Sequence, residues 1–214
     1  MTKDIISLGG NTIGSQDKGG LFIVVEGLDG SGKTTQAELI ADELKNRGKE
    51  TVLTVEPTKT SPVAKRIKDA LAKKYKIELE ELQKLFSEDR KEHVEKVILP
   101  NLKEGKIIVS DRYAFTTFSY GSFGNNLEEL FTLNENYPLP DLTIFIDVAP
   151  EECRKRIGGR GESNQLFDEI EKLKAHREGY KKIFKRFQNI ETVDGNNTIE
   201  KTHKKAMQAV NAIL

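Results

Sequence analysis

Tryptophan is absent from this chain of 214 residues, cysteine occurs once, and neither sign of charge prevails, with 34 Lys and Arg against 34 Asp and Glu. The lone Cys153 cannot form an internal disulfide, and no Cys/His grouping has zinc spacing. Neither a disulfide framework nor a structural zinc is therefore expected to hold the fold, as in a reducing compartment. A formal net charge of +0 excludes the broad positive field that holds nucleic acid or an anionic membrane. Any anion must be gripped locally. Also missing is an apolar run of membrane-spanning length, and the opening residues MTKDIISLGG lack the long apolar core of a signal peptide. The expectation is a cytoplasmic protein with no nucleic-acid or membrane partner.

What is present is organised in alternation. Residues 1–20 are rich in Gly, Ser and Asn and carry no sustained periodicity, which predicts a flexible leader ahead of a single domain over residues 21–214. Short apolar, β-branched runs then recur: Leu21 to Glu26, Thr51 to Val55, Lys106 to Ser110, Leu142 to Val148 and a weaker Asn189 to Val193. Their length and composition predict buried parallel strands. Helix-length stretches lie between them. Thr34 to Arg47 stops at Gly48, and Leu79 to Leu102 sets Leu82, Leu85, Phe86, Val94 and Ile98 mostly on one face. The fold class expected is α/β, a five-stranded parallel sheet flanked by helices. Ligands of such sheets bind beyond the carboxyl ends of the strands, and the chemically distinctive residues stand there: Gly27 to Thr34, Glu56-Pro57-Thr58, Asp111-Arg112-Tyr113, and an arginine-rich segment one helix past the fourth strand.

The segment Gly27-Leu28-Asp29-Gly30-Ser31-Gly32-Lys33-Thr34 fits G-x-x-x-x-G-K-[ST] between a predicted strand and a predicted helix, the context a phosphate-binding P-loop requires. Glycines let backbone N–H groups converge on phosphate oxygens, and the helix N-terminus adds partial positive charge. Lys33 would neutralise the β- and γ-phosphates of ATP, and Thr34, followed by Thr35, would offer its hydroxyl to Mg²⁺. Asp111, at the end of the third strand, would hold the metal or its water; a helix N-cap is the alternative role. No N-K-x-D guanine-reading segment occurs, which argues against a GTPase. A small-molecule kinase would need a second pocket and further positive charge.

The ordered set EGLDGSGKTTQ, EPT after the second strand, FSEDR (Phe86 to Arg90), DRY (Asp111 to Tyr113) with Tyr120, and RKRIGGRGE (Arg154 to Glu162) resembles the thymidylate kinases from about Leu21 to the C-terminus. The resemblance implies a P-loop NTPase fold with a short arginine-bearing lid, ATP and Mg²⁺ on the donor side, dTMP as acceptor, and a homodimer. It further implies that Phe86 stacks on the thymine and that Arg90, on the same helix face, bonds its edge. Arg112 would hold the dTMP phosphate, Asp29 would reach the sugar 3′-hydroxyl or a metal-bound water, Tyr120 would crowd the 2′ position, and Thr117 would contact the base. Glu56 would stand on the acceptor side. Members without a basic residue in the phosphate loop take the catalytic arginine from the lid; Leu28, Asp29, Gly30 and Ser31 are not basic, which assigns that role to Arg156 and Arg160, with Gly158, Gly159 and Gly161 allowing movement.

Each residue has a plainer reading beside the functional one: core packing for Phe86, a surface ion pair with Glu56 for Arg112, a satisfied core hydroxyl for Thr117 or Tyr120. The chain also departs from the resembling pattern, with Val55 where many relatives carry Arg and Gly121 where Gln often follows the tyrosine. Another nucleotide or nucleoside kinase of the same fold, for which Glu56 could serve as base, and a non-catalytic ATP sensor therefore stand as alternatives.

Overall fold

The computed structural model describes residues 19–121, 127–158 and 170–214, with only the backbone at Tyr120 and Gly121. Most of the expected leader, Gly159, Arg160 and Gly161 of the expected lid, and the Tyr120 side chain lie outside the described residues. Along the chain run β1 (Leu21–Gly27), α1 (Lys33–Asn46), β2 (Thr51–Val55), α2 (Pro62–Leu71) and α3 (Leu79–His93). A π-helical turn, Val94–Ile98, joins α3 to α4 (Leu99–Lys103), followed by β3 (Ile107–Asp111), α5 (Ala114–Gly121) and α6 (Leu127–Thr132). Then come β4 (Leu142–Asp147), α7 (Pro150–Gly158), α8 (Ile170–Phe184), β5 (Ile190–Asp194) and α9 (Ile199–Asn211).

The five strands form one parallel sheet in the order β2-β3-β1-β4-β5. Strand β1 is buried from Phe22 onward because it lies at the centre, which is why its sequence is a nearly unbroken apolar run. The weaker signal of β5 has the converse cause: it is an outer strand, and of its five residues only Val193 is buried. Helix α1 packs over β1, β2 and β3 with α9 beside it, while α5 packs against β1 with α3 and α8 as neighbours. Between α5 and α8 sits an aromatic cluster in which Phe115 meets Phe187 edge to face at 4.9 Å and Phe118 meets Phe131 at 4.7 Å, the geometry that ring quadrupoles favour.

The helix predicted without interruption over Leu79–Leu102 is instead widened at Val94–Ile98. Pro100 has no N–H to offer the carbonyl four residues back, and its ring would press on it; a π-turn removes that conflict. Asn101 Nδ2 donates to the Val97 carbonyl at 2.7 Å.

Strand order places the ligand crevice between β1 and β3, whose outgoing connections run to opposite sides of the sheet, and a glycine makes the loop beside it compact. Gly30 has φ +81, and a Cβ there would sit 2.5 Å from the Cys153 carbonyl oxygen of α7. Gly48, with φ +76, has open space instead. Gly30→Ala should therefore destabilise by roughly 1–3 kcal/mol more than Gly48→Ala, which bears only the left-handed backbone cost. Urea unfolding of the two variants checks this, and equal losses would show that the approach to α7 is not tight.

Candidate active site

The phosphate loop leaves β1 at Gly27 and enters α1 at Lys33. Gly32 occupies the N-cap position with φ 90, and no side chain caps the helix. The amides of the first turn therefore have no intrahelical acceptor and face outward as an anion site. The Lys33 side chain is largely buried; its Nζ donates to Asp29 Oδ1 at 3.3 Å and the Leu28 carbonyl at 3.4 Å. A lysine turned into its own loop is thus matched by the loop's own carboxylate. Arg112, from the far side of β1, also donates through Nη2 to Asp29 Oδ1 and through Nη1 to Thr116 Oγ1 at 3.1 Å. Its partner is Asp29, not the Glu56 considered from sequence. Burial alone would raise the Asp29 pKa, but Arg112 and Lys33 outweigh it and hold the carboxyl at about 2.

Arg112 sits in the left-handed region at φ 73, a conformation that costs on the order of 1–3 kcal/mol and persists only when its surroundings enforce it. They do. Its amide donates to the Val25 carbonyl at 2.9 Å, and Ser110 Oγ donates to its carbonyl at 2.8 Å. Glu26, fully buried at the end of β1, accepts from Tyr113 N at 2.9 Å, Thr116 Oγ1 at 2.7 Å and Tyr180 Oη at 2.9 Å. Burial pushes the Glu26 carboxyl above its ordinary range, against the pull of Arg112 and these hydrogen bonds. Glu26 is a positioning residue that the strand reading passed over; an acid inside an apolar strand was its signal.

Thr34 Oγ1 donates to Asp111 Oδ2 at 2.5 Å, and Asp111 Oδ1 is buried without a hydrogen-bond partner. Among the described residues no cluster of three or more His, Cys, Asp or Glu forms a metal cage. A hydroxyl and one carboxylate are nevertheless a fitting set for Mg²⁺, which keeps several waters and takes its other oxygens from phosphates.

On the acceptor side a cleft is lined by Asp29, Glu56, Phe86, Arg90, Arg112 and Thr117 among others, an apolar wall with a few convergent polar groups of the kind small-molecule sites show. The structure therefore gathers six residues singled out from scattered sequence positions. Phe86 is half-buried, with Phe86 and Arg90 one turn apart on α3. Arg90 is 1% exposed. Its Nε donates to Glu56 Oε2 at 2.8 Å, Nη2 to Thr117 Oγ1 at 3.1 Å, and Nη1 to Asn134 Oδ1. The other Glu56 oxygen faces His93 Nδ1 at 2.9 Å, and His93 Nε2 faces Thr54 Oγ1 at 2.7 Å. The carboxylate thus has both oxygens occupied by protein. Asp89, 1% exposed, accepts from Thr58 N at 2.7 Å and from Ser61 Oγ at 2.7 Å, tying the Glu56-Pro57-Thr58 loop to α3. Asn134, His93 and Asp89 had not been anticipated; polar residues on the inward side of α3 would have marked the last two.

Across the phosphate loop lies a second cleft, to which Ser31, Gly32, Thr35, Arg156 and Asn197 contribute. Arg156 pairs with Glu152 at 2.9 Å and extends Nη1 to the Ser31 carbonyl at 3.4 Å and Nη2 to the Gly195 carbonyl at 3.3 Å. Arg154 is exposed.

A glycine loop opening a helix, an inward lysine, a hydroxyl–carboxylate pair at the next strand end and a cleft on either side define a P-loop nucleotide-binding protein of the α/β class. The family model described as Thymidylate kinase matches residues 25–206. Over 192 residues the chain is 41% identical to the "Probable thymidylate kinase" of Thermococcus onnurineus, covering 86% of this chain and 93% of that one. It is 39% identical over 190 residues to the "Probable thymidylate kinase" of Pyrococcus horikoshii, with 86% and 92% covered. To the "Thymidylate kinase" of Desulfotalea psychrophila it is 36% identical over 156 residues, with 72% and 77% covered. The chain belongs to the thymidylate kinase family.

Two outcomes follow from the ion pairs. A carboxylate held at about 2 against an ordinary 3.8 contributes stability that is present above about pH 4 and lost as pH falls through about 2. Asp29→Asn should therefore lose less unfolding free energy than the parent between pH 4 and 2; identical acid profiles would contradict the pairing. Arg90→Leu leaves Glu56 buried beside a cavity of the wrong polarity and should destabilise by about 3–5 kcal/mol, as read from thermal or urea unfolding.

Proposed function

We propose that this chain transfers the γ-phosphoryl group of ATP to dTMP, forming ADP and dTDP in the supply of dTTP. The observation that carries this reading is the shared wall: one loop borders both clefts, Asp29 on the acceptor side and Ser31 and Gly32 on the donor side. Two phosphorylated ligands seated there would meet end to end at Lys33 and Arg112. An oxygen of the dTMP phosphate is already anionic and attacks the γ-phosphorus; the bond to the β–γ bridging oxygen breaks, and ADP leaves with that electron pair. No protein base is needed, so the chain's contribution is positioning and charge neutralisation.

Lys33 and the first-turn amides of α1 bind the donor phosphates, Arg112 orients the acceptor phosphate, and Arg156 with Arg160 supplies positive charge from the lid side. Thr34 and Asp111 would hold Mg²⁺, which supplies charge neutralisation on the phosphate oxygens when bound. Phe86 stacks on the base, while Thr117 and Tyr120 border the base and sugar. Glu56, engaged by Arg90 and His93, is poorly placed to serve as base for a nucleoside hydroxyl, which favours a monophosphate acceptor over a nucleoside. A pure sensor would have no use for a second cleft with its own arginine. The protein acts in the cytoplasm, in keeping with the absence among the described residues of any helix long and apolar enough to cross a membrane, and as a homodimer through helices between β2 and β3.

ADP formation measured with ATP-Mg²⁺ and each of dTMP, dUMP, other monophosphates and thymidine tests the assignment. The expected order places dTMP first, with dUMP lower by about 10- to 200-fold in kcat/KM, because a single methyl is worth only about 1–3 kcal/mol. Absence of acceptor-stimulated turnover sinks the kinase reading, and a preference for thymidine moves the acceptor. Replacing Arg156 and Arg160 together by Ala should lower kcat by about 10³-fold or more while ATP affinity changes little. Sedimentation at about twice the 24.1 kDa chain mass is expected for the dimer.

A further inference from the structure

Gln83 lies on α3 one turn before Phe86 and two before Arg90, so the three share a face at helical spacing. All three line the acceptor cleft. Gln83 is 1% exposed, yet neither its Nε2 nor its Oε1 has a hydrogen-bond partner. A buried primary amide with its full bonding capacity unmet is costly and uncommon in folded proteins. Tyr113 Oη, on the wall of the same cleft, is also buried without a partner. By contrast Arg90, the obvious reader of a base edge, has Nε, Nη1 and Nη2 already engaged by Glu56, Asn134 and Thr117. These bonds take three of its five N–H groups and leave the rest for a ligand, so a base would still find the unmet amide of Gln83 beside it.

Building on the dTMP reading above, we propose that Gln83 reads the imide edge of the acceptor base, its Oε1 accepting from N3–H and its Nε2 donating to a flanking carbonyl. A pyrimidine imide sets a donor beside an acceptor, and a carboxamide offers the matching pair side by side. Phe86, one turn along, would fix the plane of the ring. Arg90 holds Glu56, Asn134 and Thr117 in place and keeps N–H groups for the base, and Gln83 adds the paired donor and acceptor. The assignment also accounts for the unmet amide, because its partner arrives with the ligand. Bidentate amide-to-base contacts of this kind carry substantial discrimination in other settings.

Steady-state kinetics and unfolding on two variants test the proposal. Gln83→Leu should raise the KM for dTMP by about 10- to 100-fold, leave kcat and the KM for ATP within about twofold, and leave the melting temperature of the ligand-free protein equal or higher. A lowered melting temperature with unchanged KM for dTMP would overturn it, showing an internal structural role. Gln83→Ala is compared with the parent on dTMP and on N3-methyl-dTMP, which lacks the imide proton. The parent should prefer dTMP by tens of fold and Gln83→Ala by no more than about threefold; an undiminished preference overturns the assignment. The parent's own turnover with dTMP reports separately on the kinase reading, so active parent enzyme with indifferent Gln83 variants refutes this inference alone.

Discussion

Parallel pairing of β1 with β3, with Val25 opposite Asp111, is the constraint on which the site depends. It ends two strands at one level, so the loop that binds phosphate and the loop that carries Arg112 emerge side by side. Thr34 reaches Asp111 and Asp29 reaches Arg112 only because of that register. A slip of one residue would turn Asp111 to the opposite face of the sheet. The burial of Phe22, Ile23, Val24 and Val25 holds the register against such a slip, and Glu26 ties the strand end to Tyr113 and Thr116.

Charge is balanced locally as well as in total. Lys33 and Arg112 share Asp29, Arg90 has Glu56, and Arg156 has Glu152. In the ligand-free protein each of these four cations is thus held by an acid, which avoids an unpaired charge in a poorly solvated setting. A polyphosphate bound as proposed would compete with those acids. For Lys33 and Arg112 the exchange would release Asp29 toward the acceptor, coupling the two sides of the loop through one carboxylate. Arg90 is different: its pairing with Glu56 is deep and fully buried, so it also holds the acceptor wall together.

Much of this was legible in the sequence, for identifiable reasons. The central strands declare themselves because burial on both faces demands unbroken apolar runs, and each predicted strand end lies within one residue of the observed one. The phosphate loop is legible because its chemistry is local, glycines and a lysine at fixed offsets. What the sequence conceals is pairing at a distance. Asp29 with Arg112 spans 83 positions and Arg90 with Asn134 spans 44, and no local pattern announces either. Pro100 is visible in the sequence, but its effect, a widened turn at Val94–Ile98, belongs to backbone hydrogen bonding. Gln83 and Glu26 lie between these cases, each a polar residue in an apolar stripe whose significance needs the partners, or their absence, to be seen.

The central claim is that the γ-phosphoryl of ATP comes to rest on dTMP. Incubation with γ-labelled ATP and dTMP, followed by separation of products, tests it directly. The account predicts label in the β-phosphate of dTDP in a one-to-one ratio with ADP. Label appearing as free phosphate with no dTDP would contradict it, because the chain would then be a hydrolase.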